Sequence, residues 1–179
     1  MRRIARGDEA AMAELVLRWE RPVLGFIYRF LACSGDDARE LAQEVFLRVW
    51  RRRRKWKPTA RFSTWLFTIA GNLCRNRKRD LGRRPDLVPV QDGADNSANP
   101  HSLAEEAQTA RRVRAAVTGL PEAERAVILL RHFGGLSYRE IAEISGTTPA
   151  AVDSMLVRAR RRLAARLCDK PQESEGNGV

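Results

Sequence analysis

The sequence predicts an all-α protein built from two small helical modules joined by a flexible linker. Three observations carry this. Apolar residues recur at spacings of three and four in both halves, the repeat that gives a helix one buried face. Between the halves, Pro85, Pro89, Gly93, Asn96, Ser97, Asn99 and Pro100 fall within sixteen residues, a cluster with little capacity for secondary structure. The charge changes sign at the same place.

The chain has 179 residues, room for one domain or two small ones, and its 44% hydrophobic content can fill real cores. The formal net charge of +11 favours a polyanionic partner, nucleic acid or an acidic membrane surface. Residues 1–50 are neutral, with eight basic and eight acidic side chains. Residues 51–84 hold thirteen bases and one acid, Asp80. Residues 85–110 hold no Lys or Arg and five acids: Asp86, Asp92, Asp95, Glu105 and Glu106. Residues 111–170 return to a net of +6. Two basic modules thus flank an acidic joint, where a generic solvated surface would mix the signs. The modules are placed at 1–84 and 103–168, with an acidic linker at 85–102 and a disordered tail at 169–179.

Several classes are excluded. The longest charge-free apolar-rich stretch, Phe62 to Cys74, is short of the roughly 18 residues a membrane span needs, so no membrane insertion is expected. Asp8, Glu9 and Glu14 interrupt any signal peptide. Cys33, Cys74 and Cys168 form neither a disulfide framework nor a metal-ligand spacing. They read as small buried hydrophobes in a reducing cytoplasm. The two histidines, His101 and His132, lie in the linker and at a helix end, and there is no Gly-rich phosphate loop. No catalytic residue, metal site or cofactor is expected.

In the first module, Asp8 caps a helix through Ala11, Leu15 and Val16 to Trp19, and Pro22 opens a second through Leu24, Ile27 and Leu31. Ser34-Gly35-Asp36 is a turn, and a third helix runs from Asp37 to about Arg53. Leu41, Val45 and Val49 form its apolar stripe, widened by Phe46 and Trp50. Asp36, Glu40 and Glu44 step by four with Asp37 beside them, an acidic ridge with Gln43 and Leu47 on its margin. Acids near a helix N-terminus complement its dipole, which accounts for Asp36 and Asp37 but not for Glu44, two turns in. A protein-binding ridge is the other reading.

The loop Lys55-Trp56-Lys57-Pro58-Thr59-Ala60-Arg61 is basic with one aromatic. Ser63 then caps a helix through Trp65, Leu66, Ile69 and Leu73, ending in Arg75, Arg77, Lys78, Arg79, Arg83 and Arg84. Aromatics among cations suit single-stranded nucleic acid, since rings stack on unpaired bases while cations follow phosphates. Trp65 and Leu66 read as core. Trp56, on a Pro-broken loop, reads equally as core or as a stacking ring.

In the second module, Pro121 sits at the first position of a helix with Val127, Ile128 and Leu130, stopped by Gly134-Gly135. Ser137 and Glu140 form a capping box for a short helix, Tyr138 to Ser145. Gly146 turns the chain, and Thr148 caps a last helix with Pro149 at its first position. Val152, Leu156, Ala159 and Leu163 make its buried stripe. Opposite lie Ala151, Ser154, Met155, Arg158, Arg161 and Arg162, small residues first and cations later. That matches a helix-turn-helix, whose second helix enters the major groove, bases first and phosphates after; an ordinary helical hairpin is the other reading.

The run from Asp37 to Trp50, the run from Phe62 to Asn72, and Leu120-Pro121-Glu122 through Ala142 with Arg158 to Leu163 closely resemble three motifs of extracytoplasmic function (ECF) sigma factors. They occur in the right order over about 160 residues. The resemblance implies a sigma region 2 helical bundle and a sigma region 4 helix-turn-helix. It implies that Asp37, Glu40, Leu41, Gln43, Glu44, Phe46, Leu47 and Trp50 dock on the clamp coiled coil of the largest subunit of core RNA polymerase. Lys55, Trp56, Lys57, Arg61, Asn72, Arg75, Arg77, Lys78 and Arg79 would handle the melted non-template strand of the minus-ten element, with a flipped base held by loop 55–61 and Asn72. Arg131, Thr148, Ala151, Asp153, Ser154, Met155, Arg158, Arg161 and Arg162 would read minus-thirty-five duplex. The linker would pass near nascent RNA, and an anti-sigma factor would hold the chain inactive.

Four positions depart from the pattern. Asp153 and Met155 stand where Arg or Lys is frequent, which bears on minus-thirty-five specificity. Gly71 stands in place of a common Arg, and Asn76 in place of a frequent Asp. Members usually carry about ten more residues before Met1-Arg2-Arg3, so a late translation start is expected. A helix-turn-helix regulator working without polymerase would explain the second module but leave the acidic ridge without a role.

Overall fold

Asp8 accepts a hydrogen bond from the backbone N–H of Ala11 at 2.9 Å and starts α2 (Glu9–Leu31), just after the short α1 (Arg2–Ala5). In this computed structural model the described residues are 1–57, 61–82 and 100–168. Residues 58–60, 83–99 and 169–179 lie outside them, and with them Arg83 and Arg84 of the expected basic run and most of the expected linker.

Helix α2 is continuous through Pro22, where two helices were expected. A proline inside a helix costs about 3 kcal/mol. Val23, Phe26, Ile27 and Phe30 are all buried just beyond it. Burying each is worth about 1.5–3 kcal/mol, so packing outweighs the lost hydrogen bond.

The helix ends at Ala32, which takes the left-handed conformation (φ 53°). Ser34 then caps α3 (Gly35–Arg51), its Oγ accepting from the Asp37 N–H at 3.0 Å and donating to Asp37 Oδ2 at 2.7 Å. The helix therefore begins two residues before Asp37, inside the expected turn. A 3-10 turn (Arg53–Lys55) follows. Helix α4 spans Phe62–Gly82, so Ser63 falls in its buried first turn and not at its cap.

Helix α5 (Pro100–Thr118) had no counterpart in the sequence reading, and it starts inside the expected linker. Pro121 is the cap, not the first residue, of α6 (Glu122–Gly134), which Gly135 closes with φ 60°. The Ser137–Glu140 capping box opens α7 (Tyr138–Ser145). Gly146 (φ 64°) leads to α8 (Pro149–Cys168), where the Ala151 N–H bonds Thr148 Oγ1 at 3.2 Å. Among the described residues there is no strand.

The two modules share a hydrophobic core. Phe26, Ile27, Leu66 and Phe67 of the first pack in one cluster with Val127, Leu136, Ile141 and Leu156 of the second. Two glycines, Gly25 and Gly134, permit the close approach. A Cβ on Gly25 of α2 would lie 2.5 Å from the Phe133 ring, and one on Gly134 would lie 3.1 Å from the Phe67 ring. A Cβ on Gly71 would touch Ile144 at 4.0 Å. Gly71, which stands in place of a common Arg, is thus buried where a Cβ would make only ordinary contact with Arg75 and with Ile144 of α7.

Cys74 is fully buried and its thiol is pushed up to about 12 by desolvation. Cys33 is half-buried. Cys168 is exposed, so the expectation of three buried cysteines fails there. The reason is that α8 projects beyond the core at its C-terminal end, where only Leu163 and Leu167 retain partial cover.

Candidate functional site

Helix α3 separates its faces as its spacing requires. Ala38, Ala42, Val45 and Val49 are buried, while Asp36, Glu40, Gln43 and Leu47 are exposed. Glu44 is half-buried and accepts from Arg48 Nε at 2.6 Å, and Asp37 lies 3.7 Å from Arg77. Leu41 packs half-buried on the core. Phe46 is 7% exposed, so it supports the ridge from beneath and does not line its surface. Trp50 is half-buried under the Arg53 guanidinium, 4.1 Å from the ring centroid.

The basic surface of the first module follows α4. Lys55, Lys57, Arg61, Asn72, Arg77, Lys78 and Arg79 are exposed, and Trp56 and Arg75 are partly so. Asn72 Oδ1 accepts from Arg75 Nη2 at 2.7 Å. Arg79 donates to Asn76. Trp65 is half-buried beside Phe62, with centroids 6.1 Å apart, and Leu66 is core.

In the second module, Thr148, Asp153, Ser154 and Arg161 are exposed, and Ala151 and Met155 are partly covered. Arg158 and Arg162 are half-exposed but not free. Each guanidinium lies 3.2 Å from the carboxylate of Glu124, which is 7% exposed on α6. Arg131 donates to the Leu136 carbonyl at 2.7 Å, bracing the turn before α7.

Sequence reasoning missed the polar contacts between the modules. Glu140 of α7 accepts from Thr64 of α4 and lies 4.0 Å from Arg61. Burial pushes its carboxyl up, but bonds from Thr64 and Ser137 and the nearby Arg61 outweigh that and hold it below the usual carboxylate range. Lys78 pairs with Glu122 of α6. Arg125 donates to the carbonyls of Phe30 at 2.9 Å and Leu120 at 3.0 Å, and burial lowers its pKa. Arg114 lies over the Tyr28 ring at 3.9 Å and donates to the Cys33 carbonyl at 2.9 Å. These cations meet the free carbonyls where α2 ends, the negative pole of its dipole. The partners joining the two modules stand 44 to 95 residues apart in the chain, beyond the reach of local patterns.

Among the described residues no helix is long and apolar enough to cross a membrane.

A family model described as Sigma-70 region 2 matches residues 15–84, and one described as Sigma-70, region 4 matches residues 110–163. The chain is 32% identical to the RNA polymerase sigma-H factor of Pseudomonas aeruginosa over 171 residues, 90% of this chain and 88% of the relative. It is 31% identical, over the same shares, to the ECF RNA polymerase sigma-E factor of Escherichia coli K12. Among solved structures it is similar to CnrH in complex with the cytosolic domain of CnrY, with TM-score 0.69 and 27% identity over 92% of each chain. The sigma factor RpoE in complex with the anti-sigma factor NepR from Bartonella quintana shares the fold, at TM-score 0.66 and 22% identity over 88% of this chain and 98% of that one.

A helical bundle with an acidic ridge and a basic helix, followed by a helix-turn-helix, is the architecture of a sigma factor, and the chain belongs to the sigma-70 family. Within that family it is an RNA polymerase sigma factor of the ECF class, acting in transcription initiation and not as an enzyme.

Proposed function

We propose that the acidic ridge of α3 grips a basic surface of core RNA polymerase, the clamp coiled coil of the largest subunit. Glu40, Gln43, Glu44 and Leu47 make the contact, with Asp37, Leu41 and Trp50 at its edge. One observation carries this: an exposed acidic and apolar row stands on a helix whose opposite face is wholly buried. Dipole complement alone leaves Glu44, about two turns in, unexplained, and Leu47 stays exposed beside it.

Promoter handling divides between residues 1–84 and 103–168. Loop 55–61 with Asn72 and the cations of α4 takes the melted minus-ten strand. A flipped base there costs a few kcal/mol of unstacking, offset by stacking and phosphate contacts. The start of α8, from Thr148 to Met155, takes the minus-thirty-five major groove, with Asp153 able to accept from a cytosine amino group. An anti-sigma factor is the inhibitory partner, as one is bound to the RpoE relative in the solved complex. The site of action is the cytoplasm, where polymerase and promoter are. Run-off transcription with core polymerase tests the reading. The wild type yields transcripts, and the Glu40→Arg/Glu44→Arg chain, folded by circular dichroism, yields none. Unchanged transcripts would overturn it.

A further inference from the structure

Helix α8 turns one row of side chains straight outward. Ala150, Ser154, Val157 and Arg161 follow at steps of four, three and four. All are exposed, and they stand opposite the buried Val152, Leu156 and Ala159. Asp153 lies beside the row and is exposed as well. Val157 is 57% exposed in the middle of it. A single exposed valine means little by itself, and its neighbours give it meaning.

Residues 149–157 hold no Lys, Arg, Asn or Gln. The common side-chain forks in a major groove are Arg or Lys on guanine and Asn or Gln on adenine. The first turns of α8 can build neither. The next cation, Arg158, is drawn to Glu124 at 3.2 Å on the flank opposite Asp153, and Met155 packs against the core. The outward row offers acceptors and methyl groups instead. Ser154 donates its hydroxyl proton to the Ala150 carbonyl at 3.1 Å, which leaves its lone pairs to accept. The Asp153 carboxylate only accepts. In the major groove, amino hydrogens belong to cytosine N4 and adenine N6, and a methyl belongs to thymine. Guanine shows two acceptors there, which would meet these oxygens lone pair to lone pair.

On the reading of α8 as the duplex-binding helix, we propose that it selects cytosine and thymine: Asp153 accepts from a cytosine N4 amino group, and Val157 packs on the methyl of a nearby thymine. Asp153 and Val157 are four residues apart, so their Cβ atoms lie about 5–6 Å from each other on the helix surface. Base pairs stack about 3.4 Å apart, which sets the two bases one or two steps from each other. Ser154 supplies a second acceptor beside them. Arg160 and Arg161, exposed one turn later, meet phosphate and add affinity without sequence information.

The full chain is used to select duplexes from a random double-stranded DNA library, and the enriched duplex is then altered one group at a time. Replacing thymine by uracil removes the methyl and nothing else. At one thymine this is expected to weaken wild-type binding about fourfold, the worth of one buried methyl-sized group, and to leave Val157→Ala nearly unaffected. Asp153→Asn is expected to enrich adenine where wild type enriches cytosine, since an amide fits the adenine N6 and N7 pair. Both substitutions lie at exposed positions of α8. Three results would each overturn the base assignment while leaving duplex binding by α8 standing: no effect of uracil at any thymine, equal weakening of wild type and Val157→Ala, or the same base chosen by wild type and Asp153→Asn. No enriched sequence from wild type would overturn the duplex reading of α8 and the base assignment with it.

Discussion

Glu124 and Arg158 form an ion pair of 3.2 Å in which the carboxylate is almost fully buried and the guanidinium half-exposed. The same carboxylate lies 3.2 Å from Arg162, one turn further along α8. Two cations of α8, the helix proposed to meet duplex, are therefore oriented from α6. Their charge is partly neutralised before any phosphate arrives.

Replacing Glu124 by Gln keeps the shape and removes the charge that gathers both arginines. The guanidinium ends are half-exposed and screened by water, so the loss is modest: about 1 kcal/mol, read as a thermal midpoint lower by a few degrees. The freed guanidiniums should steepen the salt dependence of duplex binding. A midpoint equal to wild type would show that the pairs contribute nothing.

Gly25 and Phe133 are a second coupled pair. Gly25→Val drives a side chain into the ring, and overpacking of this kind costs about 1–3 kcal/mol. Phe133→Ala should remove most of that added cost. A double-mutant cycle by chemical denaturation measures the coupling. Additive losses would place the strain elsewhere.

The depressed Glu140 carboxyl gives the contact between the modules an acid sensitivity. A group whose folded pKa is lowered contributes stability above its unfolded pKa, and that contribution fades as pH falls through the folded value. The thermal midpoint of wild type should therefore exceed that of Glu140→Gln near neutrality, and the two should converge below the ordinary carboxylate range of about 4.3. Parallel curves down to about pH 3 would contradict this.

Asn72 is exposed, and its Oδ1 accepts from Arg75, one turn along α4. Asn72→Ala should leave stability within about 0.5 kcal/mol. It should impair open-complex formation, read by permanganate footprinting, more than closed-complex binding, read by gel shift. Equal loss in both assays would remove Asn72 from base capture.

Much of this architecture was legible because its signals are local. Asp8, Ser137 with Glu140, and Thr148 cap the helices they precede, and Gly135 and Gly146 take the left-handed turns their positions require. The ridge of α3 and the stripe Val152, Leu156 and Ala159 follow from spacing alone. Pro22 misled because its local penalty is smaller than the burial of Val23, Phe26, Ile27 and Phe30, which only the folded chain reveals. Helix α5 was hidden by a Pro- and acid-rich approach, although Val113, Ala116 and Val117 carry helical spacing. The contacts of Thr64 with Glu140 and of Arg125 with Phe30 join distant segments, and no local period encodes them.

The account turns on the exposed acidic row of α3. Equilibrium binding of fluorescently labelled chain to core RNA polymerase tests it most directly, comparing wild type with Glu40→Arg. The charge reversal should weaken binding at least tenfold, about 1.4 kcal/mol, with the helical circular dichroism unchanged. Equal affinity of the two proteins would contradict the account.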